Sequence, residues 1–191
     1  MKRRAVFIDR DGTISEEVGY VNHPSRYRVF PYAAEAIKHL NDAGWLACLV
    51  TNQAGVARGY FAEEMIGRVH QLLIDELTRG GARLDAIYYC PHHPSVGDAP
   101  YRLDCDCRKP RPGLILRAAA EFDLDLNQSW MIGDRYSDTE LARRAGVRAA
   151  FVLSGYGRGE WEHQRAEWQH QPDLVAENLL AAVTRIVEQD G

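Results

Sequence analysis

Two aspartates, Asp9 and Asp11, stand two positions apart at the end of the apolar run Ala5 to Ile8. Residues two apart on an extended backbone point to the same side. The pair therefore converges at the carboxyl end of a strand, where open α/β sheets bind their ligands. One carboxylate of such a pair can attack phosphorus while its neighbour handles a proton. Gly12 follows and lets the chain turn sharply. A bare Asp-x-Asp is common and is usually a turn or helix-start signal. An apolar strand running into Asp-x-Asp-Gly-Thr, residues 9–13, is far more specific.

Matching chemistry continues along the chain. Leu46 to Val50 reads as a second buried strand and ends in Thr51-Asn52-Gln53. Arg108-Lys109-Pro110 comes later, and Trp130-Met131-Ile132 then runs into Gly133-Asp134, with Asp138 four residues on. Taken singly, each has a structural explanation: threonine suits strand ends, lysine suits surfaces and Gly-Asp suits turns. In this order, from Ala5 to Leu153, the set resembles the four motifs of the haloacid-dehalogenase superfamily of phosphohydrolases.

The resemblance implies a role for each position. Asp9 is the nucleophile and forms an aspartyl-phosphate. Asp11 is the general acid for the departing alkoxide and then the base that activates water. Asp9, Asp134 and the backbone carbonyl of Asp11 hold Mg²⁺, which prefers oxygen ligands. Thr51 and Lys109 bind the transferring phosphate, where charge spreads in the transition state. Asp138, one helical turn past Asp134, either orients Lys109 or a metal-bound water, or only caps a helix.

The cysteines carry a second centre. Cys48 lies inside an apolar strand and reads as a buried small residue. Cys90-Pro91-His92-His93 is followed by Cys105-Asp106-Cys107, which makes a Cys₃His set for structural Zn²⁺. Either histidine can ligate on spacing alone, and free thiols or a disulfide are the competing explanations. The family pattern picks Cys90, His92, Cys105 and Cys107. Cys107 directly precedes Arg108-Lys109, so a zinc loop over 90–107 would fix the segment that delivers the lysine.

Within the superfamily, CPHHP followed by CDCRKP resembles the subgroup of heptose-bisphosphate and histidinol-phosphate phosphatases. Gly19-Tyr20-Val21 and the segment 52–59 favour the heptose side. The implied substrate is a small sugar bisphosphate that loses its C7 phosphate. The implied substrate contacts are Glu17, Val18, Gly19, Tyr20, Thr51, Asn52, Gln53, Ala54, Arg108 and Lys109. Arg108 suits the second phosphate, because a guanidinium meets phosphate in a bidentate way. Arg135 stands where the family often has lysine and keeps the charge. Residues 52–59 also resemble DNA 3′-phosphatases, but those lack the zinc loop. A zinc-clipped binding module with a dead site is the non-enzymatic alternative, yet Asp9, Asp11, Lys109 and Asp134 are all present.

The elements that must position these residues alternate. Strands are expected at 5–9, 46–51, 84–89, 130–132 and 148–153, and helices at 33–43, 62–79, 114–122 and 138–145. Repeated β-α units imply a Rossmann-like, doubly wound parallel sheet, covered on both faces. The intervals between motifs are too short for a cap domain, so a single capless domain over 1–191 is expected. Past Leu153 the signals weaken: a loop at 154–158, a surface helix at 160–170 and a helix at 176–187 packing back on the sheet. A net charge of −4 argues against a general nucleic-acid or anionic-membrane binder. No apolar run reaches the ~20 residues of a membrane span, and the basic start has too short an apolar stretch for a signal peptide. A cytoplasmic monomer is expected.

Overall fold

The computed structural model describes residues 2–190. Its centre is a six-stranded sheet, every neighbouring pair parallel. The strands are β1 (Ala5–Ile8), β2 (Leu46–Asn52), β3 (Ala86–Cys90), β4 (Trp130–Gly133), β5 (Arg148–Val152) and β6 (Leu174–Ala176), in spatial order 3-2-1-4-5-6. The main helices are α1 (Ala33–Asp42), α2 (Glu64–Arg79), α3 (Gly113–Phe122), α4 (Tyr136–Ala145), α5 (Gly157–His163) and α6 (Leu179–Asp190).

Burial on both faces explains the unbroken apolar runs in the central strands. Val6 and Ile8 pack with α1, α2 and α6 through Ile37, Leu40, Val69, Leu73, Val183 and Ile186. Ala5 and Phe7 face the other way, onto α3 and α4 through Leu114, Ile115, Leu141 and Ala142. Ile8 is level with Leu49 of β2 and Ile132 of β4. Asp9 is thus the first residue beyond β1, and its N–H donates to the Ile132 carbonyl at 2.9 Å. The connectivity reverses between β1 and β4, so the crevice at their carboxyl ends is the topological switch point.

Between β1 and β2, and between β2 and β3, the described residues add helical turns, α1 and α2 but no further sheet, consistent with a capless architecture. No helix among the described residues is long and apolar enough to cross a membrane.

The C-terminal region departs from expectation. Helix α5 starts at Gly157, inside the expected loop, and ends at His163. The expected helix at 160–170 instead breaks into α5 and a 3₁₀ turn at Arg165–Glu167. The break lets Trp161 and Trp168 fold back on Phe151, with ring centroids at 6.0 and 5.0 Å. Ala176 belongs to β6, a three-residue strand too short to show periodicity, and α6 begins three residues later.

Helix α6 therefore closes one face of the sheet. Ile186 is fully buried there. Ile186→Ala is expected to lower stability by about 2–5 kcal/mol. Urea unfolding should show a lower midpoint with an unchanged slope; an unchanged midpoint would mean that α6 is not part of the core.

Candidate active site

Three motif residues meet in one buried cluster. Asp9, Asp134 and Asp138 each bring a carboxylate oxygen within 4.8 Å of the others. Lys109 lies between two of them, its Nζ 2.7 Å from Asp9 Oδ1 and 2.8 Å from Asp138 Oδ1. Burial alone would lower the Lys109 ammonium, but the charges of Asp138 and Asp9 outweigh it and its pKa is raised. Burial pushes Asp9 up to about 7, against the pull of Lys109. Burial, then the charges of Asp9 and Asp138, raise Asp134 well above the usual carboxylate range.

Two glycines make room for Asp134. Gly12 (φ +83°) and Gly155 (φ +55°) would each place a Cβ within 2.2 Å of Asp134 Oδ2. That oxygen accepts from the Tyr156 N–H at 2.8 Å, whereas Oδ1 is buried without a hydrogen-bond partner. A pair of close carboxylates with one orphaned oxygen suits a hard divalent cation, which supplies the missing partner and the missing charge.

Asp138 does two jobs. Its Oδ1 holds Lys109, and its Oδ2 accepts the Arg135 N–H at 3.2 Å and caps α4. Asn52 of β2 ties down the Lys109 backbone at both ends, accepting from its N–H at 3.0 Å and donating to its carbonyl at 3.2 Å.

Asp11 sits beside Asp9 and is held from behind. Arg10 is 1% exposed and donates through Nε and Nη2 to the two Asp11 oxygens, at 3.1 and 2.9 Å. Gln53 Nε2 donates to Asp11 Oδ2 and to Thr51 Oγ1, both at 2.9 Å. On the far side of Arg10, Nη1 lies 3.4 Å from His70 Nε2. Burial, and then the Arg10 charge, push His70 down to about 3, so it stays neutral.

Above this cluster opens a cleft of 510 Å³. Asp9, Asp11, Glu17, Gly19, Tyr20, Thr51, Asn52, Gln53, Ala54, Arg108, Lys109 and Arg135 all line it. Asp134 lies fully buried beneath. Val18 does not line the cleft; its side chain packs against the core and its carbonyl accepts from Arg26 at 2.9 Å. The cleft also has a wall that the motifs do not reveal: Tyr136, Ser137, Tyr156, Glu160 and Gln164. Glu160 is buried and accepts from Arg135 Nε at 3.0 Å and the Tyr136 N–H at 2.7 Å, while the Arg135 guanidinium lies 4.5 Å from the Tyr156 ring centre.

The second cluster is assembled as the cysteine pattern implied. Cys90, His92, Cys105 and Cys107 present their ligand atoms to one point. The Sγ separations are 3.5 Å (Cys90 to Cys105) and 3.1 Å (Cys105 to Cys107), and His92 Nδ1 lies 3.3 Å from Cys107 Sγ. These are far from a disulfide's ~2.05 Å. They approach the roughly 3.8 Å edge of a tetrahedron with bonds of about 2.3 Å. A hydrogen bond from Cys90 pulls the Cys107 thiol down to about 5, toward the thiolate that a metal needs. His93 turns away, its Nε2 3.4 Å from Arg58. The loop is anchored by Glu63, which accepts from Tyr89 at 2.9 Å and Tyr101 at 2.8 Å. Arg108 donates to the His92 carbonyl at 3.2 Å.

The fold and this site define a phosphohydrolase of the haloacid-dehalogenase type. The HAD-hydrolase-like family matches residues 106–182. A D-glycero-D-manno-heptose-1,7-bisphosphate 7-phosphatase of Thermosynechococcus vestitus is 41% identical, covering 96% of this chain and 95% of its own. The D-glycero-beta-D-manno-heptose-1,7-bisphosphate 7-phosphatase of Haemophilus ducreyi is 39% identical over 96% of this chain and 98% of its own. Among solved structures, the D,D-heptose 1,7-bisphosphate phosphatase of B. bronchiseptica, crystallised with magnesium and phosphate, superposes with a TM-score of 0.87. It is 30% identical and covers 97% of this chain and 99% of that one. The chain belongs to the family of heptose-1,7-bisphosphate 7-phosphatases.

The buried His70 has a consequence for stability. In the unfolded chain it titrates near 6.5. Between that value and about 3 the unfolded state holds a proton that the native state does not. Stability is therefore full above pH ~6.5 and falls as the pH drops. From pH 7 to pH 5 this group should cost about 2 kcal/mol. Urea unfolding at both pH values should show that loss reduced by this amount in His70→Gln; an identical pH dependence in the variant would exclude His70 as its source.

Proposed function

We propose that this protein is a Mg²⁺-dependent phosphomonoesterase that removes the C7 phosphate of D-glycero-D-manno-heptose 1,7-bisphosphate, a step toward the nucleotide-activated heptose of lipopolysaccharide core. The observation that carries this reading is one cleft holding Asp9, Asp11, Thr51 and Lys109 together with two further cations, Arg108 and Arg135. A single phosphate needs only the first group. A bisphosphate brings a second dianion that must meet positive charge in the same cleft.

Asp9 attacks phosphorus, the bond from phosphorus to the C7 oxygen breaks, and Asp11 gives its proton to that oxygen. Asp11 then takes a proton from water as the water attacks the aspartyl-phosphate, which frees phosphate and restores Asp9. Lys109 and the Thr51 hydroxyl meet the phosphoryl oxygens while charge builds on them. Asp138 holds Lys109 in place. Mg²⁺ bound by Asp9, Asp134 and the Asp11 carbonyl would draw the phosphate's charge away from the nucleophile. Zn²⁺ on Cys90, His92, Cys105 and Cys107 would have four protein ligands and no open position, which is a structural site. The substrate is a charged small molecule, in keeping with a cytoplasmic enzyme.

Phosphate release from heptose bisphosphate, histidinol phosphate and a 3′-phosphorylated oligonucleotide tests the assignment. The heptose compound should give the highest kcat/KM, and Asp9→Asn should abolish its turnover while leaving the fold intact. A preference for either comparison substrate, or a folded Asp9→Asn that still turns over, would overturn the reading. Metal analysis of the purified protein should find one zinc per chain. Cys107→Ser should lose that zinc and lower kcat through a misplaced Lys109. Metal-free protein with these cysteines oxidised would remove the zinc site.

A further inference from the structure

Arg10 is a buried cation that the reaction as written does not use. It stands between the two catalytic aspartates in sequence, and its N–H donates to Asp9 Oδ1 at 2.7 Å. Its carbonyl closes the following turn by accepting from the Ile14 and Ser15 N–H groups, both at 3.0 Å. Its side chain is almost wholly buried, against Asp11, His70 and the Tyr27 ring, whose centre is 5.6 Å away. Stability gives little reason to bury this charge. A buried ion pair often contributes nothing net over apolar side chains of the same volume.

The contacts point to placement instead. Arg10 grips both Asp11 oxygens with the planar fork of its guanidinium, and Gln53 adds a third donor. A carboxyl held by three donors has one orientation. His70 and Tyr27 fix the guanidinium from the other side, so the fork cannot swing away with Asp11. The chain from α2 through His70 and Arg10 to Asp11 therefore aims the proton donor.

We propose that Arg10 is a positioning residue for the general acid: its buried fork, with Gln53, fixes the Asp11 carboxyl beside Asp9 in line with the departing oxygen. The proposal rests on Asp11 being the general acid. It belongs to the first half of the reaction, where the phosphorus–oxygen bond breaks and the oxygen takes up a proton. A poor leaving group, such as a sugar alkoxide, needs that proton. A good one, such as p-nitrophenolate, leaves without it.

The test compares kcat/KM, which reports steps up to phosphorylation of Asp9, on heptose bisphosphate and on p-nitrophenyl phosphate. General acid catalysis contributes about 10²–10⁴-fold. Arg10→Met should therefore lose at least ~10-fold more on the sugar substrate than on the aryl substrate. Arg10→Lys keeps the charge but not the fork, and should show the same selectivity with a smaller loss. It decides the question if Arg10→Met does not fold. Equal losses on both substrates in the folded variants would mean that Arg10 is only structural, and the proposal falls. Asp11→Asn separates the two levels. If it too loses equally on both substrates, Asp11 is not the acid and the underlying reading fails. If it loses selectively while the Arg10 variants do not, only the role of Arg10 is overturned.

Discussion

The structure is organised around one electrostatic problem, which is how to bury three carboxylates together. Asp9, Asp134 and Asp138 approach one another to within 4.8 Å, and all three are nearly inaccessible. At that distance two like charges repel by roughly 3–4 kcal/mol at an effective dielectric of about 20. Lys109 offsets part of this by bridging Asp9 and Asp138. Asp134 is left with an oxygen that no protein group satisfies. The cluster is thus built short of positive charge, which suits it to a divalent cation.

Much of the surrounding architecture exists to hold the one lysine. Asn52 fixes its backbone from the end of β2, and Asp138 fixes its ammonium from the start of α4. The cysteine-histidine loop precedes it directly and is tied back to α2 through Tyr89, Tyr101 and Glu63. A loop rich in proline and polar residues has little apolar surface to order itself. A metal held by Cys90, His92, Cys105 and Cys107 would supply that order where no core can reach. Arg108 shares the brace, since it bonds to the His92 carbonyl while it lines the cleft.

The C-terminal segment completes the opposite wall. The Tyr156 N–H reaches Asp134, and Glu160 holds both Arg135 and the first turn of α4. Arg135 is itself half exposed, yet it is pinned between a buried carboxylate and an aromatic ring. The segment after β5 is thus part of the cleft as well as a cover for the sheet.

The sequence alone determined the five central strands, the chemistry-bearing strand ends and the three cysteines of the second cluster. These are local properties. Unbroken apolar runs mark strands buried on both faces, and Asp9, Thr51 and Asp134 follow such runs directly. Cys90 ends β3 and Cys105 and Cys107 lie on the loop that follows it, so their convergence needed no long-range packing. Tertiary structure decided the rest, because it depends on side chains that meet from distant parts of the chain. It brought His92 and not His93 to the cysteines, gave Asp138 both its contacts and turned Val18 against the core. It added β6, which three residues cannot announce, and broke the helix expected at 160–170 so that two tryptophans could reach the sheet. It buried Arg10 against His70, sixty positions away, and set Glu160 against Arg135. The spacing of an arginine between two aspartates does not say which way its side chain faces. Only the packing of α2 over the end of β1 shows that it faces inward.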